Sequence, residues 1–375
     1  MAGSSPASLI VFRGIILPVR DESLNRHCLF LYVQHPAAVA GPIDSFVRNF
    51  QSLYGNTLTN QRPLQFVHIF RPSNLLGRTL MDYTVLMYLE VYMRLSTYKR
   101  EGKTGIAAWF GKELHGFEEG SKGYPGDLDT LLARGASLMG LGATLSSAPH
   151  LETASITLLP PLGKPSKILC IGLNYRDHAA ETGFKLPDWP AVFARFPSCL
   201  VGHGSQLVRP AVSEQLDFEG EMVVVIGKKA KAVSAGHALS HVAAYSIFND
   251  ASVRDYQMRS SQWTLGKNFD ATGAFGPWLI TPDELPPGGA GLRITTRVNG
   301  STVQDASTSD MVFDVASLIE ILSSTMTLEP GDMIVTGTPS GVGYTRQPPL
   351  FLRPGDICEV EIERIGILGN PVISH

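Results

Sequence analysis

Leu216-Asp-Phe-Glu-Gly-Glu221 runs directly into Met222-Val-Val-Val-Ile226, so a carboxylate-rich segment opens what reads as a buried strand. Side chains alternate faces along a strand, which sets Glu219 and Glu221 side by side with Gly220 opposite. Two anions at the edge of a core repel. The remedies are a shared proton, an Arg or Lys between them, or a hard cation that takes oxygen ligands, such as Mg2+, Mn2+ or Ca2+. Asp250, which follows a second apolar segment at 242–248, offers a third acid and tips the choice toward metal. A lone Glu-x-Glu is more plainly a solvated strand end, because structural ion pairs are common. The metal reading therefore depends on the rest of the chain.

Upstream of this stretch, residues 167–172 read as a continuous apolar strand and 174–181 as a helix that begins where the strand ends. His178 and Glu181 stand three apart on it and so share a face. Earlier still, 105–110 and 113–117 flank the turn Gly111-Lys112 as a hairpin, Asp127 N-caps a short helix reaching 134, and 155–161 is a Pro-terminated linker. Downstream, 292–298 and Thr302-Val303 form a hairpin across Asn299-Gly300, 314–324 is helical, and 333–336 and 356–362 are strands. Many strands, few helices and frequent Gly or Pro turns predict a β-rich α+β fold. The N-terminal part is less regular. Residues 8–13 read as a short strand, and 14 to about 101 mix apolar pieces and turns, with weak helical spacing only near 81–98.

Length and composition narrow the function classes. The 375 residues suffice for two to three domains with a large core. A formal charge of -3 leaves no basic footprint for nucleic acid, and no apolar stretch reaches membrane-spanning length. Cys28, Cys170, Cys199 and Cys358 are scattered, without a Cys-x-x-Cys pair, which fits a reducing compartment. No secretory signal is read at the amino terminus, and a cytoplasmic location is expected, with the mitochondrion as the alternative. There is no Gly-x-Ser-x-Gly elbow, no Gly-x-Gly-x-x-Gly opening a helix, and Gly337 to Gly343 lacks a P-loop ending.

Gly172-Leu-Asn-Tyr-Arg-Asp-His-Ala-Ala-Glu-Thr-Gly183 together with the opening stretch resembles the fumarylacetoacetate hydrolase family. Asn249-Asp-Ala-Ser-Val-Arg-Asp255, Gly266-Lys-Asn-Phe-Asp270, Gly276-Pro-Trp278 and Thr336-Gly-Thr-Pro-Ser-Gly-Val-Gly343 follow in the family's order. Ala251, Val253 and Asn268 depart from the usual residues without removing a chemical group. The resemblance implies a mixed β-sandwich roll around a divalent metal, usually Mg2+, with a small N-terminal α/β cap domain, in a homodimer. It implies Glu219, Glu221 and Asp250 as metal ligands, and His178 with Glu181 as the pair that activates water. It further implies Lys267 as a catalytic group, with Arg254, Gln257 and Thr338 holding the substrate. The expected activity is hydrolysis of a carbon-carbon bond in a 2-oxo or β-diketo acid through a metal-chelated enolate; decarboxylation or enol-keto isomerisation would use the same site.

The expected organisation is a small N-terminal domain at 1–160 and a catalytic domain at 161–375. Residues 14–103 stand as an atypical insertion, because the family's strand at 9–13 would normally run almost directly into one at 105–110. This insertion is either extraneous coding sequence or a poorly ordered insertion, or else a lineage-specific cap or partner-binding element with an amphipathic helix over 83–98.

Overall fold

Met222, Val224 and Ile226 enter one hydrophobic core while Val223 and Val225 enter another, and all five are fully buried. The uninterrupted apolar run is thus a strand with a core on each face, each large side chain contributing roughly 1.5–3 kcal/mol by its burial. The computed structural model describes residues 15–21, 26–34, 65–75, 78–88, 93–181 and 188–375.

The strand Gly220–Ile226 lies in the middle of an eleven-stranded sheet, between Val242–Asp250 and Met333–Val335, both antiparallel to it. Beyond Met333–Val335 come Ile168–Gly172, which runs parallel to it, and the edge strand Ala191–Arg195. On the other side follow Gly273–Ile280, Arg94–Arg100, Lys103–Phe110 and Glu113–Glu118. A five-stranded sheet ordered Leu207–Arg209, Gly366–Ser374, Ile357–Ile362, Arg293–Val298 and Ser301–Ser307 packs on the face that carries Met222. Gly220 allows that approach: a Cβ there would lie 2.3 Å from Thr296 Oγ1 and 3.0 Å from a Val360 methyl. The helices Leu128–Ala133 and Leu138–Leu145 fill the opposite core beside Val223 and Val225. The result is the β-rich α+β sandwich that the turn and strand pattern predicts.

Chain contacts divide the protein into Met1–Val91 and Tyr92–His375. Within the first unit, Ile15–Asp21, Arg26–Gln34, Arg78–Tyr88 and Gln65–Leu75 form an antiparallel sheet in that order. The strand expected at 8–13 lies outside the described residues. The helix expected near 81–98 is not formed. Residues 78–88 and 94–100 are strands, because pairing on both sides of each outweighs a weak local helical spacing.

In the second unit Lys103–Phe110 takes Arg94–Arg100 as its hairpin partner, across Glu101-Gly102, and not a strand at 9–13. Both turn residues have positive φ, 50° and 84°, the geometry of a tight two-residue connection. The linker expected at 155–161 is also corrected: Thr157–Leu159 pairs with Arg94–Arg100. The hairpin of Glu113–Glu118 with Lys103–Phe110 and the Asp127 cap, whose Oδ1 accepts from Thr130 N at 2.7 Å, form as expected.

Glu284 ties the start of Arg94–Arg100 to the body of this unit. Its Oε1 accepts from Met93 N at 2.8 Å and from Thr281 Oγ1 at 3.3 Å. Burial foremost, with the neighbouring Asp283 adding to it, pushes this carboxyl from 4.5 up to about 7. Between those two values the folded chain holds a proton that the unfolded chain has lost. Unfolding free energy therefore falls as pH rises through this window, by roughly 3 kcal/mol at the upper end. Glu284→Gln is expected to raise the thermal midpoint at pH 8 and to leave it nearly unchanged near pH 4.5; an equal shift at both would refute the assignment.

Candidate active site

Register brings the acids together. Glu221 pairs with Phe248 and Gly220 with Asn249, so Glu219 falls opposite Asp250, whose N–H bonds Glu219 O at 2.9 Å. Ligand oxygens of Glu219, Glu221 and Asp250 all lie within 4.8 Å of one another, and all three residues are buried. Seven of the nine expected site residues line one cavity beside this cluster; Asp250 and Glu181 are not on its wall.

Two short helices supply the cations. Gly266 lets Thr264–Lys267 press on Arg254–Gln257, since a Cβ there would stand 2.4 Å from Gln257 N. Lys267 Nζ then bridges Glu219 Oε2 and Asp250 Oδ2, each at 2.7 Å. Arg254 Nη1 bonds Glu219 Oε1 at 2.7 Å, and its Nε bonds Asp217 Oδ2 at 2.8 Å. The guanidinium of Arg195, fully buried, pairs with Asp250 and also donates to Thr272 Oγ1 at 2.8 Å.

The carboxylates do not share this compensation equally. Burial alone would raise Glu219, but Lys267 and Arg254 hold it at about 2. Glu221 is pushed well above the usual carboxylate range, by burial first and then by the charges of Asp250 and Glu219. The Gly337 N–H at 2.5 Å from its Oε2 offsets only part of this. Lys267 is raised, because Asp250 and Glu219 outweigh the effect of its burial.

His178 is 6% exposed on the cavity wall, with Nδ1 3.4 Å from Glu181 Oε2. Glu181 also accepts from Gly341 N at 3.1 Å and Thr345 Oγ1 at 2.9 Å, which joins the helix Arg176–Glu181 to the loop after Met333–Val335. Those hydrogen bonds and that of His178 keep Glu181 below its ordinary value despite its burial. Thr338 reaches the cavity, but its hydroxyl already donates to Gly220 O at 3.0 Å and accepts from Gln304 Nε2 at 2.9 Å.

A hard divalent cation suits this donor set. Three carboxylates from two adjacent strands converge within chelating range. With all four ionised, Asp217, Glu219, Glu221 and Asp250 outnumber Arg195, Arg254 and Lys267 by one, so a dication held by the ionised carboxylates leaves this cluster with a positive charge. That sign suits an anionic substrate. Sequence reasoning missed Arg195, Tyr344 and the role of Asp217, which accepts from Arg254, Gly343 N and Tyr344 N. Arg195 carried no signal among ordinary surface arginines, and the carboxylate of Asp217 had no visible partner until Arg254 met it in space.

A buried carboxylate trio flanked by cations in a cavity at a strand end defines an enzyme-type centre that can hold a metal. Residues 167–373 match the family model for the fumarylacetoacetate (FAA) hydrolase C-terminal domain, and the chain belongs to that family. It is 39% identical over 272 residues to rat "Oxaloacetate tautomerase Fahd2a, mitochondrial", covering 69% of this chain and 87% of that one. It is 42% identical to human "Oxaloacetate tautomerase FAHD2A, mitochondrial", covering 62% and 74%. Among solved structures, a fumarylacetoacetate hydrolase from Exiguobacterium antarcticum superposes with a TM-score of 0.66 at 34% identity, over 76% of this chain and all of its own. A 2-hydroxyhepta-2,4-diene-1,7-dioate isomerase from Mycobacterium marinum gives 0.60 at 32% identity, over 75% and 98%. Among the described residues no helix is long and apolar enough to cross a membrane.

Proposed function

We propose that the protein is a metal-dependent enzyme of 2-oxo acids that interconverts the enol and keto forms of an oxaloacetate-like substrate. The observation that carries this reading is the convergence of Glu219, Glu221 and Asp250 beside Arg254 and Lys267 at one cavity. Mg2+ held by the three carboxylates would supply Lewis-acid stabilisation of negative charge on the substrate's oxygens. Arg254 keeps a nitrogen available for the substrate's carboxylate: Nη2 is buried and has no hydrogen-bond partner among the described residues. Lys267 sets a positive charge beside the enol oxygen, and Gln257 and Thr338 complete the polar wall. Tautomerisation breaks an enol O–H bond and forms a C–H bond. His178, held by Glu181, is the group in this reading that carries the proton between the two. The tautomerase and isomerase names among the relatives support this choice over the hydrolysis expected from the sequence.

Carbon-carbon hydrolysis is the second reading, favoured by the same His178-Glu181 pair in a cavity. There His178 takes a proton from water, the hydroxyl oxygen attacks the distal carbonyl, and the carbon-carbon bonding pair leaves as an enolate. The catalytic part in either case is the expected 161–375, taken as a homodimer. The mitochondrial names of the relatives move the expected location from the cytoplasm to that compartment. Enol oxaloacetate and an acylpyruvate, each with and without Mg2+, separate the readings. Mg2+-dependent loss of enol absorbance with oxaloacetate conserved supports the first. Release of pyruvate and a carboxylic acid from the acylpyruvate replaces it with the second, and no reaction on either substrate overturns both.

A further inference from the structure

The geometry points to Tyr344 as a positioning residue that fixes Arg254 for the substrate's carboxylate, an inference that rests on the 2-oxo acid reading above. Arg254 is 4% exposed and lines the cavity. Its edge is held at Nε by Asp217 and at Nη1 by Glu219 and by Gln257 Oε1, the last at 2.8 Å. Among the described residues, Nη2 is the nitrogen left without a partner. A buried N–H in that state favours an acceptor, and a carboxylate provides a charge-assisted bond. Whether Nη2 meets it depends on the plane of the guanidinium, and that plane has a second constraint. Arg254 Cζ lies over the Tyr344 ring, 4.4 Å from its centroid, inside the range of a cation-π contact.

The ring is anchored through the same carboxylate that holds the guanidinium. Tyr344 N donates to Asp217 Oδ2 at 3.0 Å and Gly343 N to Asp217 Oδ1 at 2.7 Å, while Arg254 Nε shares Oδ2. The backbone carrying the ring and the cation beneath it therefore move as one unit. Without the ring, water reaches the guanidinium, and the unbonded Nη2 is held only through the bonds at Nε and Nη1. The loss falls on substrate binding, because the proton-carrying His178 belongs to a different element, the helix Arg176–Glu181. The working part of Tyr344 in this role is its ring.

Calorimetric titration of the Mg2+-loaded protein with oxalate, a planar stand-in for the 2-oxo-carboxylate end, tests this alongside steady-state kinetics on enol oxaloacetate. Tyr344→Leu is expected to weaken oxalate binding and raise KM by about tenfold, with kcat within about twofold of the parent, whereas Tyr344→Phe keeps parental affinity. Should Tyr344→Leu fail to fold, Tyr344→Met serves the same comparison. Parental affinity in the Leu or Met variant overturns the inference, as does a Phe variant as weak as they are, or a parent that does not bind oxalate. A parent that binds oxalate but does not turn over oxaloacetate refutes the tautomerase reading alone, and the binding series still decides the role of Tyr344.

Discussion

Glu221→Gln is expected to lower Mg2+ affinity on the order of 100-fold and to remove metal-dependent turnover with it. Glu221 is the most exacting of the three acids, because among the described residues no Lys or Arg forms an ion pair with it. Lys267 and Arg254 engage Glu219, Lys267 and Arg195 engage Asp250, and the Gly337 N–H bonds Glu221. A neutral amide of the same shape removes one of the three anionic ligands proposed and leaves the fold's hydrogen bond to Gly337 in place, so the expected loss is in the metal. Losing even an outer-shell partner typically costs 10–100-fold in affinity, and a direct ligand should exceed that. His178→Ala, measured in the same Mg2+ titration, is expected to keep parental affinity within about threefold while losing turnover, since a proton carrier acts on the substrate and not on the cation. Parental Mg2+ affinity in Glu221→Gln would remove it from the ligand set.

Arg195→Met should cost about 3 to 5 kcal/mol of unfolding free energy, the largest stability loss we expect from any single change near the site. The side chains of Arg195 and Asp250 are both fully inaccessible, and Arg195 also donates to Thr272 Oγ1, Cys199 Sγ and Ala251 O. Removing the guanidinium leaves Asp250 with Lys267 alone and strips several acceptors of their donor at once. Arg195→Lys should recover part of the loss, because one ammonium keeps the charge but cannot reproduce the planar fork. Denaturant titration of the variants reads the effect. The pair with Asp250→Asn completes a cycle whose coupling should be large; additive losses would mean that the ion pair contributes little.

Much of the candidate site is legible in the sequence. Glu219 and Glu221 share a face because strand side chains repeat every two residues, and Gly220 between them answers to the second sheet. His178 and Glu181 meet because helical positions three apart are neighbours, here with 3.4 Å between Nδ1 and Oε2. The Asp127 cap and the Asn299-Gly300 turn are equally local. The strand at 94–100 is not, because its conformation comes from Lys103–Phe110, Gly273–Ile280 and Thr157–Leu159 beside it.

The sequence by itself determined the β-rich class, the strand that carries the acids, and the resemblance whose motifs name them, since each follows from periodicity or order along the chain. Tertiary structure decided which groups meet across distance. Cross-strand register set Asp250 opposite Glu219, and the close approach of two short helices put Lys267 between them. It also buried Arg195 against Asp250 and laid Tyr344 on Arg254. Local spacing fixes only what lies within a few residues; charge compensation in a buried site is settled by neighbours tens of residues away, once water has been excluded and each charge must find a partner.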